Sequence, residues 1–496
     1  MSLSNRLSKF IAAKFIRPMP LESSEPDICV IGAGAGGLAA AAAAAAMGVP
    51  VLLVEKGRMG GQTLTGAVPT RAFLAAAEHA NALRTGAAFG VKSVRSGVDF
   101  AAVNAHVRGA IEAVTPLMSP ERFTGLGVRV VTGKARFADA ATVVVGEARI
   151  KARRFIIATG SSPLVPPIPG LSETPYLIPQ TAFDLPDCPR HLIIVGAGRI
   201  GLELAQAFRR LGSEVTVLES ETPLRREDPE CAAVVLDAID REGVRLRTGV
   251  RILQVRRVLA RVQAVIQPSG PQTAAEETIE GTHLLLAAGR KPNVEDLDLD
   301  AAGIRHDRNG IKVDKRLRTT NKKVYAIGDV IGGPKSTHLA GHHAGLVVRN
   351  ALFRHPIAVD QRAVASVTFT DPELARIGLT EQEARAAAGA IRILRWPYGE
   401  NDRAVATGAT AGHIKVVTDG RGQILGATIV GAQASENIAL WALAIGQRLP
   451  IGAMAGLIAP YPTYAEVGKR AAITYFMRGL TSARVRRIIG WLRHFG

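Results

Sequence analysis

The sequence predicts an α/β fold on three observations. A strand, a glycine turn, a helix and a second strand follow one another from residue 27, the same unit recurs from residue 191, and the last third alternates strands with an apolar helix. Two Rossmann-like dinucleotide-binding domains and a C-terminal α+β domain account for all three. A length of 496 residues suits about three domains of ~150 residues each. With 47% hydrophobic and 21% charged residues the chain reads as soluble and globular, which excludes disorder.

The chain opens on Arg6, Lys9, Lys14 and Arg17 set among Leu3, Leu7, Phe10, Ile11 and Phe15. No apolar core with a small-residue cleavage site follows, so a secretory signal is excluded and a cytoplasmic location is expected. From Ile28 to Val54 the one ionisable side chain is that of Cys29, and the stretch is long enough for a membrane span. Its punctuation excludes that reading: four glycines in a turn, an alanine run from residue 39 to 46, and Pro50 before a new apolar run.

Asp27-Ile-Cys-Val-Ile31 is a strand, Gly32-Ala-Gly34-Ala-Gly-Gly37 is the turn, and Val51-Leu-Leu-Val-Glu55 is the second strand. Gly32 permits the tight turn, Gly34 lets backbone approach a pyrophosphate, and Gly37 lets helix pack on sheet. The helix N-terminus then faces the phosphates. Glu55, ending the second strand, can accept both hydroxyls of a ribose.

The unit recurs as His191-Leu-Ile-Ile-Val195, the turn Gly196-Ala-Gly198-Arg-Ile-Gly201, a helix through Leu204 and Phe208, and Val215-Thr-Val-Leu-Glu219. Two such sites imply electron exchange between two dinucleotides. Glu219 would hold a ribose and repel a 2′-phosphate, a like-charge contact costing up to about 4 kcal/mol near 4 Å at an effective dielectric of 20. NAD(H) is therefore favoured over NADP(H), with Arg225 and Arg226 close enough in sequence to soften the repulsion.

Three cysteines, Cys29, Cys188 and Cys231, are too few and too scattered for a disulfide framework or a four-ligand zinc site. A formal charge of +18 draws the protein toward anionic lipid, nucleic acid or acidic small molecules. Nucleic acid is set aside, because 5% aromatic residues leave little for base stacking.

From about Asp27 to Phe476 the sequence resembles the pyridine nucleotide-disulfide oxidoreductases, flavoenzymes that include dihydrolipoamide dehydrogenase, glutathione reductase and mercuric reductase. The resemblance rests on ordered motifs: Ala158-Thr159-Gly160 after an apolar strand, Ala288-Gly289-Arg-Lys-Pro-Asn293, Thr320 with Tyr325-Ala-Ile-Gly-Asp329, Phe369-Thr-Asp-Pro-Glu-Leu374, and Pro462-Thr463. It implies FAD in the first cradle and NAD(H) in the second, Asp329 accepting from the ribityl chain, and a homodimer. It also implies that a helix beginning between Thr337 and Ala344 lies near the flavin pyrimidine, where its N-terminus favours an anionic reduced ring. By their places in these motifs Thr63, Thr159, Gly160, Gly289 and His338 are expected at the bound nucleotides. No metal is expected at His338, His342 and His343, since no carboxylate or cysteine completes a ligand set.

The chain departs from the family at the chemistry. Where the family carries two cysteines, then Pro-Ser-Lys, this chain reads Gly60-Gly-Gln-Thr63-Leu-Thr-Gly-Ala67-Val-Pro-Thr-Arg71. Thr63 and Ala67 take the cysteine places in a loop one residue shorter, and neither can form a thiolate or a disulfide. Tyr461 stands at the position of the family's catalytic histidine, in Pro460-Tyr-Pro-Thr-Tyr-Ala-Glu466; a tyrosine is a poor base at neutral pH but a usable donor. Glu466 is expected to orient local backbone or Lys469.

The hydride path is expected to survive. Glu203 matches a family glutamate near the nicotinamide and the flavin edge, and Arg71 replaces the lysine that pairs with it. Arginine can polarise and position, but it cannot donate and recover a proton. Arg199, inside the second glycine turn, is expected to gate the nicotinamide pocket or contact phosphate.

The expected boundaries are an FAD domain at residues 25–160 and 288–352, an NAD domain at 161–287, an interface domain at 353–478 and a basic amphipathic tail at 479–496. In the tail Val485, Ile488, Ile489, Leu492 and Phe495 recur at helical spacing with Arg484, Arg486, Arg487 and Arg493 between them. Peripheral membrane contact through the basic ends is therefore expected, against packing of the tail on protein. The expected activity is that of an NADH-dependent flavoprotein that reduces a small quinone-like acceptor without a redox disulfide. Its rivals are a non-catalytic redox sensor and a reductase acting on an external disulfide.

Overall fold

The computed structural model describes residues 25–92, 97–270, 275–353, 356–360, 362–387, 389–480 and 483–495. The basic stretch read at residues 1–20 lies outside the described residues. In chain order the first cradle is β1 (Ile28–Ile31), α1 (Ala35–Ala46) and β2 (Val51–Glu55), followed by α2 (Val68–Thr85), β3 (Val128–Thr132) and β4 (Arg154–Ile157). The second is β5 (His191–Val195), α3 (Arg199–Leu211) and β6 (Glu214–Glu219), followed by α4 (Pro229–Arg241), β7 (Arg245–Thr248) and β8 (His283–Leu286). Strand β9 (Val324–Ala326) and helix α5 (Thr337–Phe353) come next. The C-terminal part contains β10 (Ser366–Thr368), β11 (Glu373–Gly378), α6 (Glu381–Ala387), β12 (Ile391–Pro397), β13 (His413–Asp419), β14 (Ile424–Gly431), α7 (Ala434–Gly446), α8 (Glu466–Leu480) and α9 (Ala483–Leu492).

The chain divides into two compact units. One comprises residues up to Ala72 with Ala105–Leu164 and Arg290–Val359; the other comprises Phe73–Asn104, Val165–Gly289 and residues from Asp360 onward.

In the first unit, five parallel strands lie in the order β9-β4-β1-β2-β3. Strand β1 alternates its side chains between two cores, as a pleated strand must. Ile28 and Val30 enter a core with Ala40, Ala41 and Ala44 of α1 and with Ala344, Val347 and Ala351 of α5. Cys29 and Ile31 enter the other core, with Phe137, Phe155 and Ile157. Both faces are covered, which explains why the strand is apolar throughout. The alanine run has a physical reason: alanine is the best helix former, and its short side chain lets α1 and α5 share one core.

In the second unit, a parallel sheet runs β7-β6-β5-β8. Phe208 of α3 packs on Phe73, with ring centroids 4.8 Å apart, and Phe73 meets Phe183 edge-on at 5.4 Å. An antiparallel sheet in the same unit runs β10-β11-β14-β13-β12. Its core gathers Trp441 and Ile438 of α7 with Tyr398, Val416, Ile429 and Val467.

A buried ionic cluster ties α4 to this sheet. Lys415 of β13 reaches Asp228 at 2.9 Å, Glu230 at 3.0 Å and Glu381 at 2.8 Å. Arg395 and Lys415 together hold the Glu230 carboxyl down at about 2. Three carboxylates around one buried ammonium satisfy its three donors, the condition under which a buried charge is tolerated.

Candidate functional site

The two glycine turns are built alike. Gly32 has φ +102°, and a Cβ there would lie 2.5 Å from the carbonyl oxygen of Ala158. A Cβ on Gly37 would lie 1.8 Å from the Gly32 oxygen, whereas one on Gly34 would meet nothing within 4 Å. In the second turn a Cβ on Gly196 (φ +107°) would lie 2.6 Å from the Ala287 oxygen and one on Gly201 would lie 2.0 Å from the Gly196 oxygen, while Gly198 faces open space. The outer glycines are thus required by the protein's own packing. The middle one leaves room for an outside group to approach the backbone. Helices α1 and α3 start at Gly34 and Gly198 with no side chain capping them, so their first-turn N–H groups are disposed to meet an anion.

The terminal acids also match. Glu55 accepts the N–H of Ala33 at 2.7 Å and of Gly57 at 3.0 Å. Glu219 accepts the N–H of Ala197 at 2.7 Å and of Glu221 at 3.0 Å. Each carboxylate is thereby turned onto its glycine turn, and its remaining lone pairs suit two ribose hydroxyls. Arg225, expected to soften the repulsion of a 2′-phosphate, forms an exposed ion pair with Glu221 at 2.9 Å.

In the first unit, Asp329 sits in a short turn, Gly328–Ile331, with 8% of its surface exposed. Its carboxylate accepts the Ser161 hydroxyl at 2.6 Å, and Arg290 Nε donates to that same hydroxyl at 2.8 Å. Burial pulls the Arg290 guanidinium down while the Asp329 charge supports it. Thr159 Oγ1 donates to the Asn293 carbonyl at 2.8 Å, and the Asn293 amide donates back to the Thr159 carbonyl at 2.8 Å. Gly160 (φ +70°) turns the backbone beside this network, and Gly289 (φ +114°) is the last residue of the second-unit segment that precedes Arg290. Ser161 was not singled out from sequence; its position directly after Gly160 was the available signal.

Helix α5 begins at Thr337, as the resemblance implies. His338 and His342 are exposed, and His343 is buried. His343 Nδ1 accepts the N–H of Gly328 at 3.3 Å. Burial, and then the neighbouring His342, push the His343 imidazole down to about 4. It is neutral at physiological pH and buttresses the turn that presents Asp329. His338 contacts Ser336 Oγ at 3.3 Å.

Thr63 and Ala67 bound a single π-helical turn, Thr63–Ala67, that runs directly into α2. The shortened loop is thus a wide helical turn, with Thr63 half-buried and Ala67 exposed. Arg71 is half-buried in the first turns of α2. None of the three cysteines is in a disulfide. Cys29 is fully buried in β1 and burial pushes its thiol up to about 12. Cys231, in α4, is raised by burial and lies 3.4 Å from His413 Nε2. Cys188 is also raised by burial and lies 3.2 Å from Ser213 Oγ.

In the second unit, Glu203 of α3 is buried, with 4% of its surface exposed, and accepts the backbone N–H of Phe369 at 2.9 Å. One turn on, Gln206 accepts the N–H of Asp371 at 2.8 Å and donates to its carbonyl at 2.7 Å. Arg210 reaches the Asp371 carboxylate at 2.8 Å. Positions 203, 206 and 210 share one helix face, so α3 holds the Phe369–Asp371 segment by its backbone and by the Asp371 carboxylate. Arg199 donates to Ser366 Oγ at 3.2 Å, and Ser366 donates to Glu227 at 3.1 Å.

Tyr461 is 70% exposed and donates its hydroxyl to Asp402 at 2.7 Å. That hydrogen bond raises its pKa further. Glu466 opens α8, where the helix dipole favours a carboxylate.

Residues 26–344 match the family described as pyridine nucleotide-disulphide oxidoreductase, and residues 364–472 match its dimerisation domain. A mercuric reductase of Staphylococcus aureus is 33% identical over 90% of this chain and 82% of its own length. A dihydrolipoyl dehydrogenase of Thermus scotoductus is 34% identical over 89% of this chain and 95% of its own. Among solved structures, LpdA from Mycobacterium tuberculosis superposes with a TM-score of 0.82 at 27% identity, covering 90% of this chain and 99% of that one. The copper(II) complex of the HOCl-induced flavoprotein disulfide reductase RclA from Escherichia coli gives 0.79 at 26% identity, covering 91% and 100%.

Proposed function

Because the chain belongs to the pyridine nucleotide-disulphide oxidoreductase family, we propose that it passes electrons from NADH through bound FAD directly to a small quinone-like acceptor, with no cysteine pair between. As a family member it is an NAD(P)H-dependent flavoprotein oxidoreductase, and its dimerisation domain supports a homodimer. The observation that carries the finer reading is the Thr63–Ala67 turn, which has no sulfur where the resemblance puts the redox pair.

Bound FAD supplies the ability to accept an electron pair from a nicotinamide and deliver it to a quinone. The overall exchange converts NADH, a proton and a quinone to NAD+ and a quinol. For the protein's part, the α1 N-terminus and Glu55 would hold the pyrophosphate and adenosine ribose, and Asp329, fixed by Ser161, would accept from the ribityl chain. Arg71 would supply a permanent positive charge toward the ring, which it can polarise without proton exchange. Glu219 would hold the NADH ribose, and Glu203, fixed by Phe369, would face the nicotinamide. Tyr461 would not serve as a base, since its proton is committed to Asp402 and its pKa is raised rather than lowered. Glu466, at a helix N-terminus, would orient local backbone.

The test is NADH oxidation against a panel of quinones, lipoamide, glutathione disulfide and oxygen. Turnover with quinones and none with either disulfide is expected. Turnover with disulfides alone would overturn the reading, and no turnover with any acceptor would leave the protein a redox sensor.

A further inference from the structure

Helix α9 is ten residues long, about 15 Å at 1.5 Å per residue, and lies at the end of the described chain. Among the described residues no helix is long and apolar enough to cross a membrane. Yet α9 and the turn after it leave a run of large apolar side chains in the open: Ile488 (48% exposed), Ile489, Trp491, Leu492 and Phe495 (71% exposed). At 3.6 residues per turn Ile488, Ile489, Trp491 and Leu492 span a little under half of the helix circumference, with Phe495 in the turn that follows. Arg486 and Arg487 lie on the other side of α9, Arg493 follows in the turn after it, and Arg484, in the first turn of the helix, falls within the apolar arc. Trp491 and Phe495 meet edge-on, with centroids 4.8 Å apart, at the C-terminal end of the apolar face.

Charge decides what could cover this face. After Glu466 the sequence contains no acidic residue, while it contains Lys469, Arg470, Arg478, Arg484, Arg486, Arg487 and Arg493. A neutral protein groove would take the apolar side chains but leave the arginines without a counter-charge. An anionic bilayer satisfies both at once: the apolar arc enters the acyl boundary, the aromatic rings sit at headgroup level, and the arginines meet phosphates. A homodimer would present two such helices, and the second would bind at the high effective concentration set by the first.

We propose that α9 docks the protein peripherally on an anionic lipid surface, with Ile488, Ile489, Trp491, Leu492 and Phe495 inserted and the arginines on headgroups. The inference does not depend on the identity of the electron acceptor, because it is tested without turnover.

The test is co-sedimentation of the FAD-loaded full-length protein with vesicles of equimolar phosphatidylcholine and phosphatidylglycerol, beside vesicles of phosphatidylcholine alone. Partition onto the anionic vesicles should exceed that onto the neutral ones by about tenfold or more and fall with salt. Truncation after Leu480 should abolish it. The full-length double variant Ile488→Asp/Leu492→Asp, checked for flavin content and dimer mass, should also abolish it, and Arg486→Gln/Arg487→Gln should weaken it severalfold. Equal partition of truncated and intact protein, or no partition of the intact protein, overturns the proposal. Dissociation of the dimer on truncation, with vesicle binding absent from the start, would instead show that a second copy of the chain covers the helix.

Discussion

The Glu203 carboxylate accepts the backbone N–H of Phe369 at 2.9 Å, joining the helix that begins at the second glycine turn to the strand end of the C-terminal sheet. A buried carboxylate needs such donors to remain in place, and the bond helps fix how the Glu203 side chain is held. Glu203→Gln keeps an acceptor for Phe369 and removes the charge; Glu203→Ala removes both. The alanine variant should lose about 1–3 kcal/mol of stability and the glutamine variant little. Both should slow flavin reduction by NADH. Thermal unfolding together with stopped-flow reduction checks this, and equal melting temperatures for the two variants would contradict it.

The glycines separate folding from binding. A methyl on Gly37 would collide with backbone at 1.8 Å, whereas one on Gly34 meets no protein atom within 4 Å, and Gly34 has φ −78°, which alanine adopts freely. Gly37→Ala should therefore impair folding itself. Gly34→Ala should fold normally and lose FAD affinity, about tenfold for each ~1.4 kcal/mol of steric cost. Gly198→Ala should raise the KM for NADH with flavin content unchanged. Absorbance ratios and steady-state kinetics read all three outcomes.

Glu219 should set the choice of nicotinamide cofactor. Glu219→Gln keeps an acceptor for Ala197 N–H, now held at 2.7 Å, and removes the charge facing a 2′-phosphate. With a like-charge cost of up to about 4 kcal/mol at stake, the NADPH/NADH ratio of kcat/KM should rise by roughly ten- to a hundredfold. An unchanged ratio would show that Arg226 or another group already neutralises the site.

His343 gives a pH dependence whose sign is fixed. Its imidazole is held down at about 4, against about 6.5 in an unfolded chain. Between these values the unfolded state binds more protons, so stability rises with pH across that window and is lost as pH falls through it. Protonation of Nδ1 would also end its acceptance of Gly328 N–H and loosen the turn carrying Asp329. Flavin release should therefore increase from about pH 6.5 toward 4, and His343→Asn should flatten that dependence. Flavin fluorescence in the filtrate measures it.

Both cradles were legible in the sequence because their determinants are local: glycines two and then three residues apart, a helix former, and an acid closing the next strand. The fold class followed from the recurrence of that pattern. The networks around the sites were not legible. Ser161 and Asp329 stand 168 positions apart in the chain, as Glu203 and Phe369 stand 166 apart, and no periodicity encodes such pairings. Loss of the cysteines was plain, but the π-helical shape of the Thr63–Ala67 turn was not, since one deleted residue fixes loop length and leaves its hydrogen bonding open. Likewise the tyrosine at position 461 was visible, and its donation to Asp402 was not.

On the function proposed above, electrons leave the flavin without a sulfur relay in this chain. Anaerobic reductive titration of the FAD-loaded protein measures it directly, by counting electron pairs taken up per flavin. A flavin alone accepts one pair, and a flavin with a redox disulfide accepts two. One pair per FAD, with no long-wavelength thiolate band on the way, is the result expected; uptake of a second pair would contradict the account.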